Sequence, residues 1–187
     1  MKKLCVFLVL PLLAGCLTST VTPPAYWPLD YTGPVSAAKS PKYGVARCLP
    51  VVVRSPYASA QVAVLRADGT VAFDPLNEFA TTPANLLRGP AQDAVAASGL
   101  FREVVGSESI AAAEVSVEVT VSRLALDCRE EGKREALVEL NLRILRGHEI
   151  VSSVKGTGKI DAANGNYGSA FSVAFVRAFV SAFSQMR

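Results

Sequence analysis

The groups in this chain that could do chemistry are its thiols, one imidazole and a few carboxylates. Its 187 residues include 4 cysteines and 1 histidine. Cys16 follows Ala14 and Gly15, small residues that let a chain lie extended in a peptidase groove, so its sulfur is a nucleophile open to alkylation. Cys48 and Cys128 lack metal-ligand spacing. His148 sits beside Gly147 in a predicted hairpin turn, and no Gly-x-Ser-x-Gly elbow accompanies it. Asp68, Asp74 and Glu78 could suggest paired carboxylates, but they read better as a solvated turn and helix approach. No glycine-rich phosphate loop with a lysine is present. These residue types point away from an enzyme and imply no cofactor and no metal.

The elements around Cys16 give its thiol a purpose. Lys2 and Lys3 form a positive start, Leu4 to Leu13 an apolar run broken by Pro11, and Leu13-Ala14-Gly15-Cys16 a lipobox. That is the layout of a secretory signal, too short to span a bilayer. It resembles bacterial lipoprotein signals, and the resemblance implies a signal peptide over 1–15 and a diacylglyceryl thioether on Cys16, the first residue of the mature chain. Several acyl chains on one residue anchor a protein stably, because each exposed CH2 costs about 0.8 kcal/mol. Leu17 rather than Asp after the anchor implies sorting to the periplasmic face of the outer membrane.

Loss of Lys2 and Lys3 with the signal leaves 17 basic groups against 16 acidic ones, a net of +1 with no nucleic-acid signature. Apolar residues make up 50% and aromatics only 7%, which suits a core of Val, Ala and Leu. In an oxidising compartment Cys48 and Cys128 are left as a pair; a disulfide between them is the leading expectation and two buried free thiols the alternative.

Residues 16–41 are rich in Thr, Ser, Pro and Ala and read as a lipidated tether. Its Tyr26-Trp27 cluster is too apolar for a linker and is expected to dock on the domain or add an edge strand, with headgroup contact as the rival. One domain follows over 42–187. Val45 to Val53 reads as a strand with Pro50 favouring a sheet edge. Gln61 to Phe73 reads as a hairpin with a type I′ turn at Asp68-Gly69, placing Val64 opposite Phe73. Thr82 and Pro83 open a helix that Gly99 ends, with a kink or break at Gly89-Pro90. Phe101 to Val105 is a short strand. Glu114 to Cys128 switches apolar parity near Ser122-Arg123, which predicts a bulge. The strand starting at Glu135 keeps Ala136, Val138, Leu140, Leu142 and Ile144 on one face, and Glu149 to Ile160 returns with Gly156 and Gly158 allowing close approach. From Tyr167 to Met186 the spacing predicts a helix whose Phe171, Phe175, Phe179 and Phe183 form a stripe. The stripe fits a core helix on the sheet; its surplus apolar width also fits a lipid tail or a partner. The fold class is α/β (α+β): a largely antiparallel sheet with two main helices on one face.

Leu65-Arg66, Phe79, Pro83 to Leu87 and Ser98-Gly99-Leu100-Phe101-Arg102-Glu103-Val104 together resemble the ABC-type transport auxiliary lipoprotein family. Members often have Trp where Phe79 stands, and Gly89-Pro90 interrupts the family's usual helix. The resemblance implies an α/β domain working beside an ABC transporter permease and ATPase with mammalian-cell-entry (MCE) substrate-binding proteins, moving lipid between inner and outer membranes. Phe79 would then fill an aromatic pocket or make a contact, and phospholipid would be a candidate ligand. The alternative is an envelope assembly or scaffold lipoprotein that stabilises another outer-membrane complex.

Overall fold

A computed structural model describes residues 23–30, 33, 38 and 40–186. The lipobox and Cys16 lie outside the described residues. The strands are β1 (Ala25–Trp27), β2 (Tyr43–Cys48), β3 (Val52–Val53), β4 (Gln61–Arg66), β5 (Val71–Phe79), β6 (Phe101–Val105), β7 (Val115–Cys128), β8 (Glu135–Arg146) and β9 (Glu149–Asp161). The helices are α1 (Pro83–Leu86), α2 (Arg88–Ala97) and α3 (Tyr167–Phe183), the last followed by a 3-10 turn over Ser184–Met186.

The sheet is arranged along β7. Its alternating Val115, Val117, Val119 and Val121 are buried, a bulge falls between Val121 and Arg123, and Leu124 and Leu126 then take over the same face. The expected parity switch is therefore real, because one inserted residue turns every later side chain over. On one side β8 pairs antiparallel with β7 along its length, and β9 pairs antiparallel with β8. On the other side three short strands pair with β7 in succession, all parallel: β2 with Cys48 opposite Val117, β3 with Val53 opposite Val121, and β4 with Leu65 opposite Asp127. β6 extends β2 in parallel, β5 folds back antiparallel on β4, and β1 joins β5 in parallel. The long ladders are antiparallel and the parallel contacts are short, in a mixed α/β domain.

Two strand expectations change. Pro50 does not mark an edge: it lies between β2 and β3, and β2 is flanked by both β6 and β7. A proline lacks the N–H that a continuous ladder needs, so the chain leaves β7 after Leu49 and rejoins it at Val52. In the β4–β5 hairpin Leu65 faces Val71 and Ala63 faces Phe73, one position from the register expected of a two-residue turn. Within this turn only Gly69 takes a positive φ, of 82°. Asp68 keeps an ordinary backbone because its Oδ1 accepts from the Thr70 amide and hydroxyl at 2.9 and 2.7 Å. The result is a three-residue loop with glycine in the left-handed position.

The helix after Thr82 does split, at Leu87 rather than at Gly89-Pro90. Gly89 and Pro90 fall in the first turn of α2, where a missing amide costs no helical bond. α3 starts at Asn166, whose Oδ1 accepts from the Ser169 amide at 3.3 Å. It lies hard against β9: a Cβ built on Gly156 would overlap the Ala178 carbonyl, and one on Gly158 the Ala174 carbonyl. Those two glycines let helix and strand backbones approach more closely than any side chain would permit.

Candidate functional site

The aromatic residues singled out from the sequence lie together, but inside. Phe79, Phe171, Phe175, Phe179 and Phe183 are each at most 2% exposed. Phe79 meets Phe171 edge-on at 5.4 Å, Phe175 meets Phe179 at 4.8 Å, and Phe179 meets Phe183 at 5.8 Å. The expectation that they contact a lipid or a partner is corrected accordingly. α3 has a wide apolar arc because it is covered on two flanks: β8 and β9 take one, and the end of β5 with β1 takes the other. α3 with its 3-10 turn is long and apolar enough to cross a membrane by composition, yet it is buried as a core helix.

β1 is the docked form of the Tyr26-Trp27 cluster. Trp27 packs on Tyr167 at 6.0 Å, and its Nε1 donates to Asn77 Oδ1 at 3.0 Å. Leu29, just beyond, is buried. The segment expected as tether thus joins the fold by residue 25. Tyr26 alternates outward and is 62% exposed; Leu76 and Phe73 on β5 are also exposed. β1 ends the sheet path on its side, so its outer backbone edge has no strand partner among the described residues.

The disulfide expectation is also corrected. Cys48 and Cys128 are both free thiols. Cys48 stands opposite Val117 and Cys128 ends the same strand β7, eleven residues on. At about 3.3 Å per residue that separation is roughly 35 Å, far beyond the reach of an S–S bond. Burial pushes the Cys48 thiol up to about 11, so it is an inert core group.

The strongest electrostatic feature was not singled out from the sequence. Asp127, at the far end of β7, is buried on the sheet face turned away from α3. Arg129 Nε and Nη2 donate to its two oxygens at 2.8 and 2.7 Å, and Lys159 Nζ donates to Oδ2 at 3.1 Å. Lys159 also reaches Glu135 at 3.3 Å. The Arg129 guanidinium, and then Lys159, hold the Asp127 carboxyl far below the usual carboxylate range despite the opposing effect of burial. With Glu130 and Lys133 these groups line a cavity of ≈ 200 Å³, in which every charged group has an opposite partner. Such a closed ion-pair network pins the β7, β8 and β9 ends together and leaves little charge over for a ligand. The charged run Arg129 to Arg134 is its only local trace in the sequence; Lys159 joins through strand pairing. Among the described residues no three His, Cys, Asp or Glu side chains gather as a metal site, and His148 lies exposed at the β8–β9 turn.

No family model matches the chain, and no curated protein matches it. Its fold does match solved structures. A protein from Xanthomonas campestris, XCC0632 of family DUF330, superposes with a TM-score of 0.66 at 17% identity, covering 83% of this chain and 90% of that one. An uncharacterized protein superposes at 0.61 with 11% identity over 88% and 96% of the two chains. Both likenesses establish the fold. A lipoprotein from Neisseria meningitidis overlaps more loosely, with a TM-score of 0.42 and 10% identity over 68% of this chain and 90% of its own.

Proposed function

We propose that this chain is a membrane-anchored periplasmic lipoprotein that acts by binding, as the auxiliary component of an ABC-type lipid transport system with an MCE-domain protein, a permease and an ATPase. The lipobox at Leu13-Ala14-Gly15-Cys16 supports the anchor, and Leu17 supports the outer membrane as its place. The observation that carries the transport reading is that the residues resembling the auxiliary lipoprotein family hold structural posts in one continuous unit. Leu65, Phe79, Leu87, Leu100 and Phe101 are all buried, in β4, β5, the α1–α2 junction and the start of β6. Ser98 caps α2: its Oγ donates to the Val95 carbonyl at 2.6 Å and accepts from the Leu100 amide at 3.3 Å, while Gly99 turns the chain with φ 66°. A sequence resemblance built of such residues is a resemblance of folds, and the family's role follows from it as an inference. Binding rather than catalysis fits the described side chains: the displaced carboxylates are acceptors in ion pairs or turns, and the buried thiol is protonated.

The test is a crosslinking pull-down of the native lipoprotein from envelope membranes, with proteins and lipids read by mass spectrometry. Recovery of an MCE protein with its permease is the expected result. Recovery of only an unrelated outer-membrane complex would replace this reading with that of an assembly scaffold.

A further inference from the structure

A second polar cavity, of ≈ 310 Å³, opens on the sheet face turned away from α3, and it lacks the charge balance of the Asp127 network. Thr120, Asn141 and Lys155 are register partners on β7, β8 and β9, so their side chains rise in one row from that face. Arg143 stands two residues along β8 from Asn141, with the same parity. Arg54 leaves the end of β3 beside them, its amide donating to the Val121 carbonyl at 3.0 Å. All five line the cavity, as does one carboxylate, Glu139.

The charges there do not cancel. Glu139 is already engaged by Arg123 Nη1 at 3.0 Å. Among the described residues Arg143 has only Glu118, at 3.9 Å, and its buried Nε has no acceptor. The Arg54 and Lys155 side chains have no acidic partner among the described residues, whereas Lys159, four residues along β9 from Lys155, has two. Three cations from three separate segments thus converge on one recess beside a hydroxyl and an amide. Guanidinium forks suit the oxygens of a phosphate, and an ammonium adds a point charge.

We propose that this recess binds a phosphate-bearing group, with Arg54, Arg143 and Lys155 meeting its charge and Thr120 and Asn141 its neighbouring oxygens. That the group is a phospholipid headgroup rests on the transport reading above; a soluble phosphate ester has the same chemistry.

Calorimetric titration of the full lipidated chain in neutral detergent tests it, with dihexanoyl phosphatidylglycerol, inorganic phosphate and phosphate-free dihexanoylglycerol as probes. The comparison protein is the double variant Arg54→Gln, Lys155→Gln, whose side chains are exposed and make no ion pair; Lys155→Glu alone serves if the double variant melts early. The phosphatidylglycerol affinity is expected to fall about ten-fold or more in the variant, with no binding of dihexanoylglycerol by either protein. Tighter binding of the phospholipid than of inorganic phosphate assigns the headgroup as source; equal binding keeps the site and assigns free phosphate. Equal affinity in both proteins, or no phosphate binding by the native chain, overturns the proposal. Transport partners recovered without phosphate binding would remove this site alone, whereas phosphate binding without those partners would leave the site and remove the lipid-transport context.

Discussion

Asp127 shows how much one buried carboxylate can be asked to do. Its folded-state pKa is depressed, so the stability it contributes is whole above the unfolded carboxylate value of roughly 4 and is lost as pH falls from there toward the lowered folded value. Asp127→Asn keeps the shape, removes the charge and leaves Arg129 with no carboxylate. We expect a loss of about 1–3 kcal/mol at pH 7, read from urea midpoints, together with a shallower fall in stability below pH 4; an unchanged acid profile would show that the network is ornamental. The thiols make an opposite case. Since Cys48 on β2 faces the start of β7 while Cys128 ends that strand, intact mass after alkylation in denaturant should be the same with and without reductant. In the native protein Cys48 should resist labelling and Cys128, half-buried at the strand end, should react first.

At the scale of elements the contact between α3 and β9 decides the fold. Gly158→Ala places a methyl where the Ala174 carbonyl already lies, and neither backbone can yield cheaply. Overpacking of this kind costs about 1–3 kcal/mol or more, so a large drop in denaturation midpoint is the expected outcome, and a neutral change would mean the helix sits farther out. Phe175→Ala should cost about 3–5 kcal/mol, as for any buried phenylalanine; a surface-contact phenylalanine would leave stability nearly untouched. Local periodicity made much of this readable in advance. The β7 bulge, the inward face of β8, the paired glycines and the α3 stripe each follow from residues a few positions apart. What escaped was partnership across long separations. Nothing near Pro50 says that β2, β3 and β4 take successive stretches of β7, and nothing near Cys48 says that Cys128 lies at that strand's far end. The phenylalanine stripe was legible as an apolar arc, but whether lipid or protein covers its second flank depended on β1 and β5, over ninety residues away. The cation recess was invisible for the same reason, since Arg54, Arg143 and Lys155 meet only through sheet register.

For the whole molecule, the distance from the proposed anchor at Cys16 to the fold would limit where the domain can work. Ala25 opens β1 nine residues after Cys16, a span of at most about 30 Å when fully extended. A lipid on Cys16 would therefore hold the β1–β5 edge, with its exposed Tyr26 and Leu76, within that distance of the headgroups, while the β8–β9 turn can stand farther off. Cys16→Ala should abolish acylation, leave an unprocessed precursor and shift a signal-less version of the same variant into the soluble fraction, with a melting temperature unchanged because every described contact of β1 is made by residues after Cys16. Membrane fractionation and intact mass read this directly: native mature mass and retention in the Cys16→Ala protein would remove the anchor, and with it the argument for which end of the sheet faces the membrane.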